Sequence, residues 1–91
     1  MEIIRYLGEK LATHIGISPT AARGLLKLSI KDELGPFTDF TKLNLIDLCR
    51  VINKSFKNRL IKLEISEYQT IINMMIEELT LNQSLITLGG V

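Results

Sequence analysis

The sequence predicts an all-α fold, a small four-helix bundle carrying an apolar C-terminal tail. Apolar residues recur at steps of three and four through most of the chain, the spacing of a helix with one buried face. That periodicity breaks at Gly16 to Pro19, at Gly35-Pro36 and near Ser66, where the residue types suit helix ends and starts. The body of the chain shows no alternating strand pattern.

The first helix is expected from about Glu2 to Ile15, with Ile4, Leu7, Leu11 and Ile15 on its buried face and Gly16 as its left-handed stop. His14, beside that stop, is placed to bond the last carbonyls of the helix. Ser18 caps a second helix whose first turn holds Pro19, and Gly35-Pro36 ends it near Leu34. Phe37 and Phe40, in the connection that follows, are expected to fold back onto the core. Asn44 and Asp47 form a capping box, and Leu43 with Leu48 forms a hydrophobic staple around it. The third helix then aligns Leu45, Leu48, Cys49, Ile52, Phe56, Leu60 and Leu63. Ser66 and Gln69 suggest a second capping box ahead of a fourth helix, whose stripe is Tyr68, Ile71, Ile72, Met75 and Leu79. The tail, residues 82–91, is apolar and partly β-branched, which suits either a helical extension or a strand-like crossing.

Residues 1–91 are expected to form one domain, since a chain this short has room for one core. An apolar content of 46% with 23% charged residues is globular and argues against disorder. The formal charge of +1 makes no whole-chain demand for nucleic acid or an acidic membrane. No apolar run reaches the ~20 residues needed to span a bilayer, so no membrane partner is expected. One cysteine and no signal peptide point to the cytoplasm.

Catalysis needs convergent polar groups, and none is expected here. His14 is the sole histidine and Cys49 the sole cysteine, too few for a zinc site, so neither metal nor other cofactor is expected. Cys49 lies on an apolar stripe and suits a small core residue. Asp32-Glu33 and Glu77-Glu78 are sequence neighbours that point to different helix faces, the pattern of solvated surface. No glycine-rich phosphate loop occurs. The chain is not expected to be an enzyme.

Two functions remain. The stretch from Leu11 to Leu25, within residues 9–27, resembles the helix-turn-helix unit of bacterial and archaeal regulators: Ala12 allows close approach, Gly16 turns the chain, Ile17 plugs the corner and Leu25 anchors the second helix. The resemblance implies a DNA-binding regulator in which Ser18, Thr20, Arg23 and Lys27 face the major groove. Asp32 and Glu33, at the end of that helix, carry charge that phosphate repels. Arg50, Lys54 and Lys57 share one face of the third helix, a candidate basic footprint that also suits a solvated face near a helix C-terminus. The favoured function is a protein–protein interaction module whose partner is another protein or a second copy of the chain. Met74, Leu81, Leu85, Ile86 and Leu88 exceed what one helix face buries and are the candidate interface.

Overall fold

In the computed structural model, which describes residues 2–89 with side chains through Ile86, every regular element is a helix. Helix α1 (Glu2–Ile15) stops at Gly16, whose φ of +70° turns its own N–H onto the Ala12 carbonyl at 2.9 Å. That bond occupies the carbonyl His14 was expected to serve. The His14 ring is exposed and bonds no described residue.

Helix α2 (Pro19–Leu34) starts where expected, with Ser18 Oγ accepting from the Ala21 N–H at 3.1 Å. It runs back along α1. A side chain at Gly8 would lie 2.6 Å from the Arg23 stem, and one turn further on Glu2, Ile4 and Arg5 share a cleft with Arg23 and Lys27. Glycine at position 8 is what lets the two helices approach so closely.

Beyond α2 the chain departs from one expectation. Phe37 is 98% exposed, whereas Phe40 packs partly against the core. The cause is a tight turn: the Thr38 N–H and hydroxyl both return to the Gly35 carbonyl, at 3.3 and 2.7 Å, and this throws residue 37 outward. A single 3-10 turn (Phe40–Lys42) follows, capped by Asp39, whose carboxylate accepts from the hydroxyl and N–H of Thr41. Those bonds favour the ionised form and hold its pKa below the usual carboxylate value.

The next rod is continuous from 45 to 62 but changes pitch within its length. Helix α3 (Leu45–Val51) opens with the expected Asn44–Asp47 capping box, and Leu43 and Leu48 are both buried beside it. A π-helical segment (Ile52–Phe56) leads into α4 (Lys57–Lys62). Leu48, Ile52, Phe56 and Leu60 are all buried, in steps of four. In a regular α-helix each such step overshoots the turn by about 40°. The wider π turn takes back part of that overshoot, so the four side chains stay on one face. Val51 joins them in the core, Leu45 and Cys49 are half-buried, and Leu63, expected on the stripe, is 58% exposed because the rod ends before it.

Helix α5 (Tyr68–Leu81) buries Ile71, Ile72, Met75 and Leu79 and half-buries Tyr68. Its expected capping box does not form. Ser66 caps nothing, Gln69 Nε2 donates instead to Asn73 Oδ1 at 3.0 Å, and Glu67 holds the cap position without a side-chain bond. The chain enters α5 from a tight turn in which the Tyr68 N–H bonds the Ile65 carbonyl, which leaves Ser66 within the turn.

The tail is a fifth helical rod, α6 (Gln83–Gly89), lying against α1 with Ile86 buried in the core. The Tyr6 hydroxyl donates to the Glu78 carboxylate and ties α1 to α5 nearby. That bond to a carboxylate, followed by desolvation, raises the Tyr6 pKa. Ser29 is the one buried polar residue among those described, and its Oγ donates to the Leu25 carbonyl at 2.8 Å. No described helix is long and apolar enough to cross a membrane.

Candidate docking groove

The sequence-predicted residues scatter over the surface. Of the candidate interface, Ile86 is 6% exposed within the chain's own core, Met74 and Leu85 pack partly against it, and Leu81 is 70% exposed. The Leu88 side chain lies outside the described residues.

Of the candidate DNA-facing residues, Ser18 spends its hydroxyl on the α2 cap and Thr20 is exposed. Arg23 is half-buried against Gly8, and its guanidinium donates to Thr20 Oγ1 at 3.2 Å. Lys27 is exposed and shares a cleft with Arg5 and Arg23, so two of the four are brought together.

The basic face of α3 and α4 is partly neutralised from within. Arg50 pairs with Glu33 at 3.5 Å, Lys57 lies 5.8 Å from the centre of the Tyr68 ring, and only Lys54 of the three is unpartnered. Arg59 adds a pair with Asp32 at 2.6 Å, and Ser55 donates to Glu33 at 2.8 Å. Asp32 and Glu33, expected to be solvated surface, are therefore the cross-links between α2 and the 45–62 rod. The π segment is what turns Ser55 toward them.

Cys49 is half-buried, and desolvation raises its thiol pKa. A protonated, partly covered thiol is a poor nucleophile. A maleimide reagent at neutral pH should modify native Cys49 several-fold more slowly than the denatured chain, as followed by mass spectrometry. Equal rates would show that the 45–62 rod does not pack as described. No group of three or more histidine, cysteine or acidic side chains among the described residues is placed to hold a metal.

The residues that do converge lie where the α1–α2 turn meets the α4–α5 turn. There a groove of about 430 Å³ is lined by His14, Ile15, Ile17, Leu25, Leu63, Glu64, Ile65, Ser66, Glu67 and Ile71. Ile71 is its buried floor, and Ile15, Leu25 and Ile65 are half-buried walls. Ile17 and Leu63 are exposed, and His14, Glu64, Ser66 and Glu67 make a polar rim. Ile17 thus lines a groove instead of plugging a corner. The signal for this site lay in Leu63-Glu64-Ile65-Ser66-Glu67, a turn between helices that spends two large apolar residues where polar ones suffice.

The turn itself is a Schellman motif. The Ile65 N–H bonds the Leu60 carbonyl, the Glu64 N–H bonds the Ile61 carbonyl, and Glu64 takes the left-handed position at φ 59°. Glycine is the usual residue there, because a Cβ in that conformation costs about 1–2 kcal/mol. Glu64→Gly should therefore stabilise the fold by about 1 kcal/mol, read as a higher denaturant midpoint at unchanged slope. A lower midpoint would mean that the glutamate side chain itself contributes to stability.

No family model, curated protein or solved structure matches the chain.

Proposed function

We propose that this chain is a non-enzymatic docking module, a small helical bundle that binds a protein partner in the groove between its α1–α2 and α4–α5 turns. One observation carries the proposal: an apolar floor and walls rimmed by polar side chains, built from two turns that did not need large aliphatic residues. That arrangement is the anatomy of a protein interface, with an apolar centre and a solvated edge. Leu63→Asp tests it. Leu63 is 58% exposed, so the substitution should leave the fold intact while placing a charge in the groove. Nuclease-treated extracts of the native host, passed over both chains, should yield proteins held by the native chain and released by the variant. A set of retained proteins unchanged by Leu63→Asp removes the groove as the docking surface.

Self-association is a second form of the same activity, favoured by a different observation. Phe37, Ile46 and Leu81 are 98%, 79% and 70% exposed, far from the core they were available to fill. Exposed large apolar side chains mark contacts between chains more often when they cluster than when they stand singly. Light scattering decides it: a mass that rises with concentration, and falls back for Phe37→Ser with Ile46→Ser, supports association. A constant monomer mass removes it.

A further inference from the structure

We propose that the occupant of the groove is an amphipathic helix of another protein, whose apolar face seats on Ile15, Leu63 and Ile65 and whose flanking side chains are lysine or arginine. The inference deepens the docking proposal above and rests on it.

Charge complementarity selects the flanking residues. Glu64 and Glu67 stand exposed on the rim, and neither is in an ion pair with a described residue. Other carboxylates of this chain are engaged: Glu2 by Arg5, Asp32 by Arg59, Glu33 by Arg50, and Glu78 by the Tyr6 hydroxyl. No lysine or arginine lines the groove. Glu67 has a structural reason for its place, since an acid at the start of α5 complements the helix dipole. Glu64 has none. It occupies a left-handed turn position that glycine fills at lower conformational cost, so the fold gains nothing from a carboxylate there.

The backbone selects the helix. An extended peptide gains affinity by hydrogen-bonding to the edge of a sheet, and the described residues contain no strand to offer one. A helix satisfies its own backbone and needs only a groove for side chains spaced three and four apart. A second copy of this chain, paired groove to groove, would bring two Glu64 and two Glu67 carboxylates together, which opposes that symmetric pairing.

Two labelled synthetic peptides of about 18 residues, long enough to form helix alone, test the inference. Both carry leucines at i, i+3, i+4 and i+7; one has lysine and the other glutamate at the flanking positions. Fluorescence anisotropy should show the lysine peptide binding about tenfold more tightly at low salt, with the advantage shrinking as salt rises. Amide resonances of Ile15, Ile17 and residues 63–67 should shift on titration. The double variant Glu64→Lys with Glu67→Lys, its fold checked by circular dichroism, should reverse the preference. Equal binding of both peptides, or a preference that survives the double variant, overturns the basic-partner inference and leaves the docking groove standing. If neither peptide shifts the groove resonances, both proposals fall.

Discussion

Phe56→Ala should cost about 3–5 kcal/mol, the largest loss expected from any single substitution in this chain. Phe56 is fully buried, heads the bulkiest of the fully buried side chains, and sits in the π segment where the 45–62 rod presses on α2 and α5. Truncation removes the transfer free energy of the ring and leaves a void the neighbouring helices cannot fully close. A domain of 91 residues is stable by only about 5–14 kcal/mol in total, so the variant should melt about 15–30 °C lower or fail to fold. Phe37→Ala is the matched control. The same atoms are deleted from a side chain that is 98% exposed, and the midpoint should move by no more than about 0.5 kcal/mol. Similar losses at the two positions would mean that the turn at Gly35 does not hold Phe37 in solvent.

Ending the chain at Asn82 should also lower stability substantially, and at every protein concentration. Helix α6 lies on α1, Ile86 is 6% exposed and Leu85 is half-buried, so removing them uncovers apolar surface on the chain's own core. Burial of one large aliphatic side chain contributes about 1.5–3 kcal/mol, which sets the expected loss from the pair at about 2–4 kcal/mol. Melting curves at widely separated concentrations distinguish this from an interface. A tail that joined two chains would confer stability that grows with concentration, whereas a core element confers the same amount throughout. If the shortened chain melts unchanged when dilute and differs from the full chain only when concentrated, α6 belongs to an interface.

Helix ends governed by backbone chemistry were legible in the sequence. Gly16, Ser18-Pro19 and the Asn44–Asp47 box act through bonds within a few residues, and each sits as read. Ends decided by competing local bonds were not. Ser66 lost its cap because the turn closing α4 also opens α5, and Phe37 went outward because Thr38 bonded back to Gly35. The π segment was hidden for a different reason: Leu48, Ile52, Phe56 and Leu60 fit a helical stripe, and only their unbroken steps of four hinted at a wider turn. The partners of Asp32 and Glu33 lie 22 and 27 residues away and belong to tertiary structure alone. The candidate groove escaped notice because its walls come from two turns distant in sequence, brought together only when α1, α4 and α5 pack.

The pitch change in the 45–62 rod bears on which lengths of this chain natural variation can accept. Removing one residue from 52–56 would restore a regular helix, but it would also rotate Lys57–Lys62 by about 100° relative to α3. Leu60 would swing out of the core, and Arg59 would move away from Asp32. The connection from Gly35 to Leu43 has no such constraint, since a residue gained or lost there changes the path of a surface loop and rotates nothing. Homologous chains should therefore differ in length at 35–43 and hold 45–62 at constant length, with insertions and deletions excluded from the rod even where its surface residues vary freely.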